Sequence, residues 1–461
     1  MSEIRSSLDD SGIHRTRKRP FALSRMLESI LEAGRDIFER RGADKKTCSG
    51  QPEDLGEQCR KLLSHRGEAS GLFLASEILT AYEALPPEDR LRFFDLLSKD
   101  FSVDPDTVIR AAELYRREQS FQRLATVAKA AEAPRQKLFR RLNMAPGGTS
   151  RLVKMRGHLL KVLEERPELR PLASDLRHLL IAWFNRGFLV LDRIDWSSSA
   201  CVLEKIIEYE AVHEINGWED LRGRLEDDRR CYAFFHPAMP DDPLMFVEVA
   251  LTNSNATAIQ PLIASDREIE DAGKAAIATF YSISNCHQGL QGISFGNFLI
   301  KQVTEELRHD LRNIKHFETI SPVSGFRHWL ESSATNKETP DSLLEDLQLG
   351  NAFLQSLPDP VEPELSEQVR DIFLRLCAHY LLNEKSDGKP LDSVARFHLG
   401  NGASLERINW AADDSPTGVD SSAGIMVNYV YRLNDIEKNH EAYFAEGQIA
   451  ASSTVRKLAR R

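Results

Sequence analysis

Apolar residues recur at helical spacing in the first part of the chain and at strand spacing in the second. Between residues 23 and 182 they return every third or fourth position, as at Leu72, Leu79 and Tyr82, which predicts amphipathic helices. From Phe188 onwards short apolar runs appear between helical stretches, and these are typical of strands. The chain is therefore predicted to be multidomain, with an all-α N-terminal domain and an α/β (α+β) C-terminal domain.

The helical half predicts a scaffold that carries no chemistry of its own. Asp104 before Pro105 is typical of a helix start, with a capping side chain and a proline at the first helical position. Charges are mixed around each helix, without a sustained basic face. The helices predicted after Asp104 cover residues 106–118, 119–131, 134–142, 149–164 and 172–184. We predict a disordered arm over 1–21, a helical domain over 22–184 and a catalytic domain over 185–461.

Strands and helices alternate irregularly in the second half. The predicted strands are 188–192, 231–235, 244–251, 280–284, 316–321, 395–399, 404–410 and 424–433, with helices over 366–382 and 441–458. Glu248 interrupts the buried strand 244–251 and could be a base, although one such carboxylate is more often solvated or paired.

The segment 279–321 is predicted to be a strand, a glycine-spaced turn, a helix and a second strand. Gly289, Gly292 and Gly296 punctuate the turn, and a helix N-terminus behind such a turn favours an anion such as phosphate. The alternative is tight packing of the helix on the sheet. The spacing is neither that of a dinucleotide fingerprint nor that of a Walker loop, so a nucleoside triphosphate is disfavoured.

Several segments resemble the malonyl-CoA decarboxylase family: QGLQGISFGNFLIKQV (288–303), ETISPVSGF (318–326), FHLGNGASLERINWAADDSPTG (397–418) and GIMVNYVY (424–431). The resemblance extends over nearly the whole chain from about residue 22. It implies a carboxy-lyase that converts malonyl-CoA to acetyl-CoA and CO2, built on a catalytic domain of acyl-CoA N-acyltransferase (GNAT-like) fold. It also implies a homo-oligomer, dimer or tetramer, assembled through the helical domain.

The resemblance also implies the site residues. Taken alone, Ser321 is an ordinary Ser-Pro turn residue, and His398, predicted on the strand 395–399, is as readily a structural histidine. In the family these positions correspond to the catalytic serine and the proton donor, and a histidine of ordinary pKa near 6.5 can donate at neutral pH. The supporting residues are expected to be Asn401, Asn428 and Tyr431. The CoA cradle is expected to comprise Gln291, Gly292, Ile293, Ser294, Phe295, Gly296 and Asn297.

Two other functions remain open from the sequence. A phosphate-binding turn also fits a CoA-dependent N-acyltransferase, although the arginine common three residues before Gly292 in such loops is missing. The large helical half also fits a non-catalytic, CoA-sensing interaction protein. The three functions differ in what each does with malonyl-CoA.

Composition and charge limit the classes of partner and cofactor that the chain is expected to bind. The net charge is −10 and no basic face is seen, so nucleic acid is disfavoured. The six cysteines show no metal spacing and fit a reducing compartment, so we predict no metal and no cofactor, the CoA thioester being substrate. The segment up to Pro20 lacks an apolar core, and no apolar run is long enough to span a membrane. A cytoplasmic location follows as a prediction.

Overall fold

The computed structural model describes residues 29, 32–33, 51–293, 298–334, 341–356 and 367–460. The chain divides into two compact units, Met1–Leu180 and Ile181–Arg461. The predicted arm over 1–21 lies outside the described residues.

The first unit is helical, which confirms the prediction for this half. Asp104 accepts a hydrogen bond from the backbone of Asp106 and Pro105 occupies the first helical position, as the sequence predicted. The helices following Asp104 begin and end within two residues of their predicted bounds. In order, the helices are α1 (Pro52–Ser64), α2 (Glu68–Ala84), α3 (Pro87–Asp100), α4 (Pro105–Arg117), α5 (Phe121–Ala131), α6 (Pro134–Asn143), α7 (Gly148–Val162) and α8 (Arg170–Trp183).

The core of the first unit surrounds Tyr82 of α2. Its ring centroid lies 5.6 Å from that of Phe93 and 6.0 Å from that of Phe94, both fully buried on α3. Its hydroxyl lies 3.1 Å from Nδ1 of His158 on α7, so one aromatic side chain joins three helices. In contrast, α5 buries none of its residues.

The second unit contains one large twisted sheet. Its strands are β1 (Val190–Ile194), β2 (Arg229–Phe235), β3 (Met245–Thr252), β4 (Ile277–Asn285), β5 (His316–Thr319), β6 (Ser321–Pro322), β9 (Ser404–Asn409) and β10 (Met426–Val430); the short pair β7 (Lys385–Ser386) and β8 (Lys389–Pro390) stands apart. Its α-helices are α9 (Ala200–Tyr209), α10 (Trp218–Arg224), α11 (Gln260–Ile263), α12 (Phe298–Asp310), α13 (Phe326–Ser333), α14 (Asp341–Ser356), α15 (Glu367–Leu382), α16 (Ser393–Gly400), α17 (Pro416–Ser422), α18 (Ile436–Glu446) and α19 (Ser453–Leu458).

The strand order is β1-β2-β3-β4-β5-β10-β6, with β9 paired to β10. Neighbours from β1 to β4 are antiparallel, whereas β4 and β5 are parallel and joined by a connection that includes α12. This confirms the predicted strand, turn, helix and strand unit. The antiparallel strand β10 then pairs with β5 and β6 along one edge and with β9 along the other, which places a late segment of the chain inside the sheet.

Every residue of β2 and β3 is buried, which explains their nearly continuous apolar sequence. The exception predicted as a possible base, Glu248, is fully buried, and its Oε2 lies 3.0 Å from Nη1 of Arg224. Burial raises the pKa of this carboxyl to about 8, and the Arg224 guanidinium partly offsets that rise. Glu248 is therefore a paired core residue.

Three sequence-based boundaries were wrong. The predicted strand 395–399, which was to carry His398, is the helix α16, because Asp392 caps it by accepting a 2.7 Å bond from the Ala395 amide. The predicted strand 316–321 is divided at Ile320 into β5 and β6. The predicted helix 441–458 is α18 and α19, separated where Gly447 takes a left-handed φ of 63°.

We expect Gly402, which follows α16, to be more sensitive to alanine than Gly217. Both have positive φ, +82° and +91°, but a Cβ at Gly402 would lie 2.2 Å from the carbonyl oxygen of Ile436 while one at Gly217 would meet nothing within 4 Å. Gly217→Ala thus reports the backbone strain alone, about 1–3 kcal/mol at a φ of 91° and a ψ of −165°, which side-chain-bearing residues rarely adopt. Gly402→Ala should cost about 2 kcal/mol more in the free energy of unfolding, measured by urea denaturation. Equal losses in the two variants would contradict this account.

Candidate active site

Ser321 and His398, predicted as catalytic residues, lie together. The Oγ of Ser321 on β6 is 3.2 Å from Nε2 of His398, which sits in the last turn of α16. The side chains are buried, with relative exposures of 7% and 2% for the two residues. The histidine therefore reaches the serine from a helix and not, as predicted, from a second strand of the sheet.

The break between β5 and β6 positions Ser321. Glu318 pairs with Val430 of β10, whereas Ser321 pairs with Val427 of the same strand. The intervening Thr319 turns its Oγ1 towards the site, where it accepts a 2.9 Å hydrogen bond from Ser321 Oγ. The serine hydroxyl is thus held between a threonine oxygen and an imidazole nitrogen.

Two tyrosines of the β10 segment fix the ring of His398. Its Nδ1 lies 2.8 Å from the hydroxyl of Tyr431, and its ring stacks on that of Tyr429 with centroids 4.6 Å apart and planes 21° apart. Because Ser321 donates to Thr319, a consistent network has Tyr431 donating to Nδ1 and Nε2–H donating to Ser321. The network thus assigns the imidazole proton to the nitrogen that faces Ser321.

Burial changes the acid–base properties of these groups. It lowers the pKa of His398 to about 3 and raises that of Tyr431 well above its ordinary value. At neutral pH the imidazole of the substrate-free protein is therefore neutral, which differs from the sequence-based expectation of an ordinary pKa. The phenol remains protonated and able to donate to Nδ1.

A cavity of about 440 Å³ opens beside the pair, a size typical of small-molecule sites. Several of its walls are hydroxyl-bearing: Ser282, Ser324, Ser393, Thr417 and Ser421. Among the described residues that line it, none is lysine or arginine, and the one carboxylate is Asp413. The apolar walls include Phe280, Ile283 and Phe397. An anion in this cavity would be met by neutral hydroxyl groups.

The supporting residues predicted from the sequence divide into two groups. Tyr431 contacts His398 directly. Asn428 instead ties strands together, donating 2.9 Å bonds to the carbonyl oxygens of Thr319 and Ala256. Asn401 donates its side-chain amide to Phe397 O and belongs to the end of α16. Asn401 and Asn428 therefore hold the elements that carry the site.

Thr319 and Tyr429 were missed by sequence reasoning. Each lies two residues from a predicted site residue, Thr319 from Ser321 and Tyr429 from Tyr431. Side chains two apart on extended chain share a face, so this spacing was a usable signal. A hydrogen bond also links the two residues directly, because the Tyr429 amide donates to Thr319 Oγ1 at 3.3 Å.

The predicted CoA cradle is described in part. Gly292 has a φ of +72°, and the amide of Ile293 donates to Leu290 O, so the chain turns tightly before α12. Gln291 is exposed and Ile293 is buried. Ser294, Phe295, Gly296 and Asn297 lie outside the described residues.

Within the described ranges, no three histidine, cysteine, aspartate or glutamate side chains are grouped so that they could hold a metal ion. In the same ranges, no helix is both long enough and apolar enough to cross a membrane.

Comparison with known sequences identifies one family over both units. Residues 187–461 match the malonyl-CoA decarboxylase C-terminal domain, and residues 101–184 match the N-terminal domain of the same family. The chain is 37% identical over 416 residues to the mitochondrial malonyl-CoA decarboxylase of Anser anser anser, covering 83% of this chain and 82% of the relative. The corresponding protein of Rattus norvegicus is 37% identical over 402 residues, 80% of this chain and 81% of its own length.

Solved structures show the same relation. The crystal structure of malonyl-CoA decarboxylase from Rhodopseudomonas palustris superposes with a TM-score of 0.84 at 49% identity, covering 88% of this chain and 99% of that one. The one from Agrobacterium vitis gives a TM-score of 0.81 at 47% identity with the same coverage of the two chains.

The lowered pKa of His398 predicts a pH-dependent stability. Between pH 6.5 and 3 the unfolded chain binds a proton at this residue that the native protein does not, so the free energy of unfolding falls as pH falls through that range. His398→Asn removes this effect. We expect the stability of the wild type relative to His398→Asn to decrease by about 2 kcal/mol from pH 7 to pH 5 in urea denaturation.

His309→Asn is the matched control, because its side chain is 86% exposed. Any effect that follows merely from the loss of an imidazole should appear in this variant as well, so the contribution of burial is the pH dependence that His398→Asn shows beyond it. A constant difference between the wild type and His398→Asn would show that the buried imidazole takes up a proton in the native state.

Proposed function

The chain belongs to the malonyl-CoA decarboxylase family, and on that premise we propose that Ser321 and His398 carry out the reaction in the cavity beside them. The protein is a carboxy-lyase that converts malonyl-CoA to acetyl-CoA and CO2. The single observation that supports these residues as its catalytic pair is the 3.2 Å contact between Ser321 Oγ and His398 Nε2 at the wall of a buried cavity.

The chemistry needs few groups. Cleavage of the bond between the carboxylate carbon and the methylene carbon leaves its electron pair on the methylene, where the thioester carbonyl accepts it as an enolate. The enolate carbon then takes one proton to give acetyl-CoA. Donors placed where the oxygen charge develops are worth about 3 kcal/mol each. The chain must therefore supply a donor to the oxygen and an acid beside the carbon.

We assign the proton to Nε2 of His398, delivered directly or through Ser321. A neutral imidazole that lost this proton would become an anion, and the buried Tyr431 cannot readily give up its own proton, because burial raises its pKa. The negative charge of a bound substrate, however, favours the imidazolium. Substrate binding is thus proposed to raise the pKa of His398 and to bring in the proton that the reaction consumes.

The lack of a cation among the described lining residues suits the departing carboxylate. Ser321 is proposed to turn its hydroxyl proton from Thr319 Oγ1 to this carboxylate when substrate binds. A desolvated carboxylate without a cation is high in free energy, and its loss as neutral CO2 removes that cost. A strong ion pair in the ground state would instead slow this step.

The pantetheine and phosphates need a second subsite. We propose that CoA lies along Gln291 to Asn297, with its pyrophosphate at the start of α12, because the tight turn at Gly292 leads into that helix N-terminus. The parallel pair β4–β5 flanking this crossover also fits the GNAT-like fold that we propose for the second unit.

We also propose that the protein forms a homo-oligomer through its helical unit. Helices α4 and α5 expose Ile109, Leu114, Phe121 and Leu124, the phenylalanine at 83%, which supports a helical association surface and a homo-oligomer. We retain a cytoplasmic location as the proposal for this chain, although the two animal relatives are named as mitochondrial proteins.

The products formed from malonyl-CoA distinguish decarboxylation from acyl transfer and from binding without turnover. Incubation with malonyl-CoA should give acetyl-CoA and CO2 in equal amounts without an acceptor. An acyltransferase would release free CoA only with an amine present, and a sensor would bind without product. Loss of the acyl group without CO2 would contradict decarboxylation.

The roles of the pair predict a particular kinetic pattern. His398→Asn should lower kcat by about 100-fold or more with a smaller change in KM, because proton delivery occurs in the transition state. Ser321→Ala should behave similarly, and the double variant should be little worse than the poorer single one, since groups acting as a unit are not additive. Steady-state assays of malonyl-CoA decarboxylation measure all three.

His309→Asn again serves as the control and should retain wild-type kcat and KM. Near wild-type kcat for a folded His398→Asn protein would exclude this histidine as the acid. A double variant whose loss equals the product of the single losses would show instead that the two residues act independently.

A further inference from the structure

A second cavity, which we call the basic cavity, lies at the other end of the central strands. It is lined by Arg308, Arg312, Ile314, Lys315, Phe317 and Leu433 and has a volume of about 420 Å³. From this cavity we infer a binding site for a phosphate-bearing small molecule with an apolar group, distinct from the proposed catalytic site.

The basic cavity and the catalytic pair lie at opposite ends of β5. Lys315 precedes the first residue of β5, whereas Ser321 follows its last residue. Six residues of extended chain span about 20 Å. Arg308 lies in the last turn of α12, while the proposed CoA cradle precedes the first turn, about 15 Å away along the helix axis.

The charges of the basic cavity are uncompensated. Arg308, Arg312 and Lys315 are exposed, and none of their side chains makes a hydrogen bond or an ion pair with a residue in the described ranges. Two carboxylates close in sequence, Asp310 and Asp435, are not among its lining residues. Three unpaired cations thus converge on one depression of a chain whose net charge is −10.

Two other arginines of the second unit are neutralised by carboxylates, in contrast to the cations of this cavity. Arg267 lies 2.6 Å from Asp228, and Arg375 lies 2.8 Å from Asp346. A cation in the last turn of a helix interacts favourably with the helix dipole, and this accounts for the position of Arg308. It does not account for Lys315, which lies beyond the loop after the helix and lines the same cavity.

The chemistry of the walls defines the ligand class. Guanidinium groups bind phosphate oxygens through paired N–H donors, and an ammonium adds a point charge. Ile314 and Phe317 are buried and Leu433 is half-buried, so an apolar surface lies beside the cations. The volume is that of a small-molecule site. A phosphate monoester with an aromatic or aliphatic group would place its phosphate against the cations and its apolar group against the apolar surface.

Phenyl phosphate is the probe, because it carries a dianion and a ring and lacks the features of CoA. In isothermal titration calorimetry the wild type should bind it more tightly than inorganic phosphate. Arg308→Gln/Arg312→Gln should weaken binding of both ligands by about tenfold or more. Leu433→Ser should weaken binding of phenyl phosphate while leaving that of inorganic phosphate unchanged.

The control is Arg116→Gln/Arg117→Gln, which removes two exposed arginines from the last turn of α4 and should bind phenyl phosphate as the wild type does. The experiment does not require turnover, so it stands apart from the proposed catalytic roles. No wild-type heat at about 10 mM ligand would overturn the site. Binding that is abolished by acetyl-CoA but unaffected by Arg308→Gln/Arg312→Gln would place the ligand in the CoA cradle and overturn it too.

Discussion

The pairing of β10 with β5 and β6 is the constraint on which the rest of the site depends. Asn428 donates to the carbonyl oxygen of Thr319, and the Tyr429 amide donates to the Thr319 hydroxyl. These bonds fix the strand that presents Tyr429 and Tyr431 to the imidazole. Without this register the ring of His398 would lose both its stacking partner and its Nδ1 donor.

A fully buried, uncharged imidazole is costly to ionise, and the proposed mechanism depends on that property. The described lining of the cavity offers hydroxyl groups and apolar walls but no cation. A negative charge bound there would have few ways to be stabilised except by attracting a proton to His398 or by leaving as CO2. In this proposal, binding and chemistry are linked through one residue whose charge depends on the occupant of the site.

Much of the architecture can be predicted from the spacing of apolar residues along the chain. The helices after Asp104 and the unit from β4 to β5 agree with apolar periodicity, because burial on one face dictates that spacing. The segment around His398 does not, since alternating side chains there suggested a strand while the Asp392 cap favoured a helix. The motif match predicted Ser321 and His398 as the catalytic pair, but their contact joins residues 77 apart and depends on tertiary packing.

The basic cavity could not be predicted from local sequence either, because its residues come from a helix end, a loop and the segment after β10. Their separation along the chain hides the cluster from any reading of local composition. The lowered pKa of His398 was equally hidden, because it arises from burial by Tyr429 and its neighbours rather than from adjacent residues.

The position of β10 also bears on biosynthesis. Strands β1 to β5 can pair as they leave the ribosome, but β10 begins at Met426, 104 positions after Pro322, the last residue of β6. At about 5–20 residues per second, β5 and β6 therefore leave the ribosome several seconds before the strand that pairs with them. Until β10 pairs, the edge of β5 is open and the imidazole lacks its contacts with Tyr429 and Tyr431. A chain at that stage exposes an unpaired strand edge on which chaperones or aggregation can act.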